Sequence, residues 1–424
     1  MSKLEELIQQ CCPDGVEWKT LGEVCNIKGR IGFRGYTRND QVKEGEGALS
    51  LSPSNIQEGQ MDYSKGTYIT WAKYEESPEI KTYNGDIILC KTASVGKVAL
   101  VKALPYKATI NPQLVVLKDI KCSAPFLTYV LGTDEVQRKI ISLAGVGSVP
   151  NIPQKALAEI EIPVPPLPVQ EEIVRILNAF TELQAELQAE LQKRKQQYSY
   201  YLDNLLNFNN INRGGYQAEV RWMKMSDIGT FYSGLSGKTK EDFQNGNAKF
   251  ISYVNIFNNP SLITDVDDRV KIFEGERQNT IQYGDLLFTG SSETPDECGM
   301  CSVLTHHTEE KLYLNSFCFG FRFNDLSGIN PEFMKFLFRS SVIRKLICKT
   351  ANGVTRFNIS KKEFAKIVIP IPSLAEQDHI ASVLDKFYFL VGDLTIGLPA
   401  EIEKRRQQYE YYRDKLLIFK RKGA

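Results

Sequence analysis

The sequence predicts an α+β fold in which two mixed α/β domains are separated by two long antiparallel helices that form a coiled coil. Three observations predict this pseudo-two-fold internal repeat. Residues 162–165 (Ile-Pro-Val-Pro) recur 207 positions later at 369–372 (Ile-Pro-Ile-Pro). Short β-type runs precede each block, and a long amphipathic stretch follows it. A repeat of this length excludes short-period solenoids.

The repeat continues beyond these blocks. Residues 193–198 (KRKQQY) match 404–409 (KRRQQY) with a shift of 211, so the first copy has four extra residues between the two blocks. Looser matches pair Val16 and Trp18 with Val220 and Trp222, residues 85–88 with 284–287, and residues 151–152 with 358–359. We therefore predict domain 1 at 1–167, helix 1 at 168–208, a linker at 209–215, domain 2 at 216–372 and helix 2 at 373–424.

Within the two domains, β-branched and apolar runs predict strands at 86–90, 113–117 and 366–369. Proline near a first turn favours helices at 125–131 and 331–347. Each domain should end in a strand that the Ile-Pro-x-Pro block stops, because proline cannot donate a ladder hydrogen bond.

The first long helix is predicted at 169–208, a rod of about 60 Å whose apolar stripe needs a partner. The second copy is the natural partner. It should start with a capping box of Ser373 and Glu376, and it should break near 397–399 into helices at 374–395 and 399–420, because Pro399 cannot lie in a helix interior.

Composition narrows the class of protein. The 42% hydrophobic and 24% charged content is ordinary for a soluble globular chain. Apolar runs stay far below the roughly 18 residues of a membrane helix, and Glu5 and Glu6 argue against a signal peptide. Nine scattered cysteines indicate reduced thiols, so we expect a cytoplasmic protein. The net charge of +1 means that any nucleic-acid surface must be local.

Taken together, the two Ile-Pro-x-Pro blocks, their following Gln and Ile residues, and the Gln-Gln-Tyr blocks resemble the specificity subunits of type I restriction–modification systems. The resemblance covers essentially the whole chain. It implies that each domain is a target-recognition domain that reads one half of a bipartite, asymmetric DNA site, and that the chain itself is not an enzyme. Pro168 and Val169 depart from the motif that Glu376 carries in the second copy.

The resemblance also implies partners and cofactors. Two modification subunits would carry S-adenosylmethionine and methylate adenine at N6, and restriction subunits would use ATP and Mg²⁺. The helices would act as a spacer and dock the modification subunits. The residues assigned to docking are Gln170, Ile173, Tyr198, Tyr201, Gln377, Ile380, Tyr409 and Tyr412.

DNA contact calls for basic side chains at phosphates and polar loop side chains at base edges. In domain 1 a glycine-rich basic loop and a turn after a strand fit this need. The candidates there are Lys28, Arg30, Arg34, Tyr36, Arg38, Lys91, Thr92, Ser94 and Lys97. The alternative is that both segments are solvated surface loops.

In domain 2, polar loops at 233–240 and 289–294 and a basic stretch are the candidates. Eight basic residues are Lys335, Arg339, Arg344, Lys345, Lys349, Arg356, Lys361 and Lys362, and no acid lies between Phe333 and Lys362. This favours a phosphate-facing surface over a solvated face of mixed sign. The residues assigned to DNA contact are Ser233, Lys238, Thr239, Lys240, Ser291, Ser292, Lys349 and Arg356.

Motifs of catalysis are weak. Gly237-Lys238-Thr239 lacks the earlier glycine of a phosphate-binding loop, and Cys298 and Cys301 lie too near His306 for a typical zinc site. The two alternatives that stay open are a self-sufficient nuclease or methyltransferase, and a coiled-coil scaffold without a role on DNA.

Overall fold

The computed structural model describes residues 2–30, 35–145, 149–208, 220–392 and 397–423. The chain divides into two compact units. Unit 1 comprises Met1–Leu187 and Ile402–Ala424, and unit 2 comprises Gln188–Glu401.

The first segment contains short strands and short helices. Its strands are β1 (Trp18–Thr20), β2 (Asn26–Gly29), β3 (Gln41–Val42), β4 (Ala48–Leu51), β5 (Ile56–Gln57), β6 (Gln60–Met61), β7 (Thr67–Ile69), β8 (Lys81–Thr82), β9 (Ile87–Cys90), β10 (Val98–Leu100), β11 (Ala108–Ile110), β12 (Leu114–Lys118) and β13 (Glu161–Pro163). Its helices are α1 (Lys3–Cys11), α2 (Leu21–Val24), α3 (Trp71–Glu75), α4 (Ala124–Leu131), α5 (Asp134–Ser142) and α6 (Gln154–Ala158).

The long helix α7 (Leu167–Leu205) follows, and the second segment has the same character as the first. Its strands are β14 (Arg221–Lys224), β15 (Gly229–Ser233), β16 (Ala248–Ile251), β17 (Arg269–Val270), β18 (Thr280–Ile281), β19 (Leu286–Thr289), β20 (Ser291–Ser292), β21 (Cys301–Val303), β22 (Leu312–Leu314), β23 (Cys318–Phe323), β24 (Ala351–Asn352), β25 (Phe357–Ile359) and β26 (Val368–Ile371). The remaining helices are α8 (Met225–Ile228), α9 (Tyr253–Asn258), α10 (Pro331–Leu337), α11 (Ser341–Cys348), α12 (Lys361–Phe364), α13 (Leu374–Gly392) and α14 (Leu398–Leu416).

The two units repeat one sheet topology. Unit 1 has a sheet of order β10-β9-β12-β2 and another of order β3-β7-β4-β11-β8. Unit 2 has β15-β23-β19-β21, the same order read from the other end, and β17-β16-β22-β18. The parallel pairs are β4 with β11 and β16 with β22, again in equivalent positions. The predicted internal repeat of mixed α/β domains is confirmed.

The Ile-Pro-x-Pro blocks form strands, but their first prolines lie inside the ladder. Trp18 of β1 faces Pro163 of β13, and Trp222 of β14 faces Pro370 of β26. Both sheets have only two strands, so the side of the proline that lacks an N–H can face away from the partner strand.

The long helices pack on the domains and on each other within each unit. In unit 1, Phe180 of α7 stacks on Tyr412 of α14, with ring centroids 5.5 Å apart. In unit 2, Tyr201 of α7 stacks on Phe387 of α13 at 4.8 Å. These aromatic contacts join the long helices at two places, and the predicted helix pairing is confirmed.

One predicted helix is divided in the structure, and some predicted boundaries fall on residues outside the described ranges. The predicted helix 331–347 is two helices, because the hydroxyl of Ser340 accepts the N–H of Ile343 and starts α11 afresh. The second long helix is interrupted as predicted: α13 ends at Gly392 and α14 begins at Leu398. The predicted end at Thr395 and the whole of the linker 209–215 lie outside the described residues.

Candidate nucleic-acid interface

In unit 1, three separate loops meet at the end of β9, and we call residues 91–97, 111–113 and 151 loop cluster 1. Thr92 forms a β-bridge with Asn151, and its hydroxyl donates to Asn151 Oδ1 at 2.7 Å. The N–H of Lys91 donates to the carbonyl of Gln113 at 2.9 Å. Ala93 has a left-handed φ of 65°, a conformation that often marks functional loops.

Unit 2 repeats this arrangement at the end of β19, and we call residues 290–298, 315–317 and 353–358 loop cluster 2. Ser291 pairs with Asn358, the counterparts of Thr92 and Asn151. The N–H of Gly290 donates to the carbonyl of Phe317 at 2.8 Å. Arg356 Nε donates to Ser291 Oγ at 3.1 Å, which brings together two residues that the sequence assigned to DNA contact. Ser291 is buried, which corrects its assignment, whereas Ser292 is half-buried.

Most of the domain 1 candidates have accessible side chains. Thr92 and Lys91 are half-buried within loop cluster 1, and Ser94 and Lys97 are exposed there. Elsewhere in unit 1, Lys28 is exposed on β2 and Arg38 is exposed in a short 3-10 turn, whereas the hydroxyl of Tyr36 accepts a hydrogen bond from Ser50 at 2.8 Å. Arg34 lies outside the described residues.

Arg30 corrects the prediction for the basic loop. Its side chain is buried, and its guanidinium donates to the carbonyl of Ile110 at 3.1 Å and to Thr109 Oγ1 at 3.2 Å. Burial lowers the pKa of the guanidinium. Because these donors are used inside the sheet, Arg30 holds β11 in place, and its guanidinium is not part of an exposed basic loop as predicted.

The candidate loop 233–240 is mostly tied to its own unit. Lys238 is a further correction: its side chain is only 4% exposed and pairs with Glu276 at 2.6 Å. Thr239 caps a short 3-10 turn by hydrogen bonding with Asp242. Ser233 and Lys240 are exposed. Of the four residues assigned to DNA contact in this loop, Ser233 and Lys240 are thus the exposed ones whose side chains no hydrogen bond to Glu276 or Asp242 holds.

The eight basic residues at 335–362 of domain 2 do not form one exposed surface either. Arg339 donates to the carbonyls of Cys301, Ile256 and Phe257 at 2.7–3.0 Å, and Arg344 donates to those of Cys298 and Asp296. Burial lowers the pKa of both guanidinium groups. Lys335 is buried and pairs with Asp385 and Glu332. Arg339, Arg344 and Lys335 therefore do not belong to an exposed phosphate-facing surface. Lys349 and Arg356 are exposed.

The residues assigned to partner docking divide into two groups. Gln170, Ile173, Gln377 and Ile380 are buried, which corrects their assignment. Gln170 accepts the N–H of Ser123 at 2.8 Å, and Gln377 accepts the N–H of Asn330 at 2.8 Å, so each glutamine pins the start of a helix to its domain.

The four docking tyrosines are half-buried between helices. Burial raises the pKa of Tyr198 and of Tyr409, while Tyr201 and Tyr412 stack on phenylalanines. Their neighbours Tyr200 and Tyr411 are instead 65% and 59% exposed.

Cys298 and Cys301 are buried, and the Sγ of Cys298 donates to the carbonyl of Phe357 at 3.3 Å. Within the described ranges, no group of three or more His, Cys, Asp or Glu residues could hold a metal ion. The two cysteines therefore pack as apolar residues in this structure.

Sequence reasoning missed the turns at 111–113 and 315–317. Asn111 Oδ1 accepts the N–H of Gln113 at 3.0 Å, and Asn315 Oδ1 accepts the N–H of Phe317 at 2.9 Å. The available signal was an asparagine just ahead of a strand in both repeats, followed two positions later by a residue that differs between the repeats.

The comparisons with known proteins agree with this geometry. A family model described as Type I restriction modification DNA specificity domain matches residues 13–194 and again residues 218–404. A type I restriction enzyme specificity subunit of Escherichia coli is 33% identical over 282 residues, 64% of this chain and 62% of that protein. One of Haemophilus influenzae is 30% identical over 433 residues, 95% of this chain and 96% of that protein.

Structural similarity supports the same fold. A chain in a solved structure of a type I R-M system, described for its complex assembly and conformational transition, has a TM-score of 0.63 and 16% identity. That match covers 96% of this chain and 98% of the other. In the part of this chain that is described, no helix is both long and apolar enough to cross a membrane. The two family matches, one on each repeat, show that this chain belongs to the type I restriction modification DNA specificity family.

Proposed function

We propose that this chain is the DNA-specificity subunit of a type I restriction–modification complex and recognises a bipartite, asymmetric site. One observation carries the proposal: loop clusters 1 and 2 share one backbone arrangement but differ in their side chains. The shared arrangement pairs Thr92 with Asn151 in unit 1 and Ser291 with Asn358 in unit 2. The side chains differ where Gln113 in unit 1 takes the position of Phe317 in unit 2. Equivalent loops with different side chains suit the reading of two different half-sites.

Within this proposal the chain supplies recognition and its partners supply the chemistry. Two modification subunits would bind S-adenosylmethionine and methylate adenine at N6, and restriction subunits would use ATP and Mg²⁺. The exposed rings of Tyr200 and Tyr411 offer the two modification subunits equivalent contact points, because they occupy matching positions on α7 and α14. The complex would act in the cytoplasm, where the nine cysteines stay reduced.

A domain exchange tests the proposal. Residues 16–160 are replaced by the corresponding segment of another family member, and the methylome of a host that carries the chain with its modification subunit is sequenced. We expect one half-site to change and the other to stay the same. The matched control exchanges residues 216–372 and should alter only the other half-site. A recognised sequence that survives both exchanges would contradict the proposal.

The two alternatives make different predictions. A self-sufficient nuclease or methyltransferase would act on DNA as the isolated chain, whereas the proposed subunit would not. A scaffold without a role on DNA would show no salt-dependent DNA binding of its own.

A further inference from the structure

The turns at 111–113 and 315–317 hold one residue each in a fixed and equivalent position. The N–H of Asn111 donates to the carbonyl of Leu51 at 2.8 Å, and that of Asn315 donates to the carbonyl of Ile251 at 3.0 Å. Each asparagine then fixes the residue two positions later, Gln113 or Phe317, as described above. The carbonyl of that residue in turn accepts an N–H from its loop cluster. Both ends of each turn are therefore held in place.

The side chains at these two positions differ in chemistry. Gln113 is half-buried, and its Oε1 accepts from Asn111 Nδ2 at 3.0 Å, which leaves the amide NH₂ as a donor and the second lone pair of Oε1 as an acceptor. Phe317 is 62% exposed, so most of its apolar ring is open to contact from outside the unit. Arg356 lies over the Phe317 ring at 5.9 Å from its centroid, so a cation adjoins the apolar surface.

We propose that Gln113 and Phe317 are the equivalent specificity-determining residues of the two half-sites in double-stranded DNA. The inference rests on the proposed function and identifies the residues that would read the bases. The amide of Gln113 suits the edge of adenine, whereas the ring of Phe317 suits apolar contact with base edges such as the thymine methyl. Arg356, beside the ring, provides the charge for a neighbouring phosphate. A shared position with unlike side chains gives the two domains different base preferences.

The test uses the full complex with its modification subunit and a DNA pool randomised at both half-sites. In Phe317→Ala, discrimination at one position of one half-site should fall on the order of ten-fold, while the other half-site keeps its selectivity. Gln113→Ala should do the same to the opposite half-site. Phe317→Gln should shift the preference at the affected position toward adenine.

The control is Phe273→Ala, which removes another exposed phenylalanine of unit 2 from outside the loop cluster. It should leave both half-sites unchanged, and thermal unfolding should show that every variant keeps its fold. Equal weakening on all sequences, or full selectivity after Phe317→Ala and Gln113→Ala, would overturn the assignment while the proposed function stands. A wild-type complex without any sequence preference would overturn both.

Discussion

Arg322 donates two hydrogen bonds to Asp285, one from Nε at 2.9 Å and one from a terminal nitrogen at 2.6 Å. The same terminal nitrogen also donates to the carbonyl of Thr280 at 2.7 Å. Unit 1 repeats this relationship: Lys118 donates to Asp86 at 2.7 Å and to the carbonyl of Lys81 at 2.8 Å. In each unit one basic side chain therefore ties a strand of one sheet to the edge strand of the other, at the end of β9 or β19 opposite to the loop cluster.

The Arg322–Asp285 pair predicts that loss of Asp285 destabilises the fold much more than loss of an exposed carboxylate. Asp285 is 2% exposed in its side chain and also accepts from the hydroxyl of Tyr232 at 2.7 Å. Asp285→Ala should lower the free energy of unfolding by roughly 2 kcal/mol or more, because it removes the buried carboxylate that accepts hydrogen bonds from Arg322 and Tyr232. Denaturant unfolding measures this. Asp325→Ala, which removes an exposed carboxylate of the same unit, should cost much less. Equal losses for both variants would argue against the network.

Lys97 should contact phosphate and not a base. It is exposed in loop cluster 1, and a lysine that neutralises a phosphate adds to affinity without reading sequence. Lys97→Ala should weaken DNA binding alike on all sequences and reduce the slope of log K against log salt by about 1. Titration of the complex at several salt concentrations measures the slope. The control is Lys102→Ala, an exposed lysine outside the loop clusters. A loss confined to one DNA sequence would contradict the phosphate assignment.

Glu172 should make stability depend on pH. Its carboxylate accepts from Arg175 at 2.7 Å and from Lys3 of α1 at 2.9 Å. These hydrogen bonds lower the pKa of Glu172 from 4.5 to about 2. Because the pKa is lower in the folded state than in the unfolded state, the contribution is complete above about pH 4.5 and is lost as the pH falls toward 2.

Glu172→Gln should therefore lower the free energy of unfolding at neutral pH, and its difference from the wild type should shrink at about pH 3. Denaturant titrations at both pH values check this, with the exposed neighbour Glu171→Gln as the matched control. A difference that stays constant with pH would mean that the pair contributes nothing through its charge.

The tetrapeptides of α7 predict an effect on spacing. Residues 181–192 read TELQ-AELQ-AELQ within one uninterrupted helix. Deletion of residues 185–188 removes about 6 Å of helix and should shorten the gap between the recognised half-sites without changing either one. Methylome sequencing of the deletion strain measures the gap. A variant with Glu186→Ala and Gln188→Ala, which keeps the length, should keep the gap. An unaltered gap after the deletion would contradict the prediction.

Much of the fold was predictable because its signals are local. Strands β9 and β12 and helix α4 follow from apolar runs bounded by turns, and the interruption before α14 follows from Pro399. The helix predicted at 331–347 was wrong in its continuity because Ser340 caps a new helix in the middle of an otherwise helical pattern. Ser340 lies between Arg339 and Ser341, and these residue types give little local sign of whether the helix continues or ends there.

By itself the sequence determined the repeat, the alternation of domain and helix, and the family, since these depend on periodicity and on motifs that recur along the chain. Only the tertiary structure decided which basic residues are available. Arg30 and Arg339 look like surface cations in sequence, yet their donors satisfy carbonyls inside the units. Whether a guanidinium is buried depends on carbonyls far away in the chain, such as Ile110 for Arg30, and no local pattern specifies such a partner.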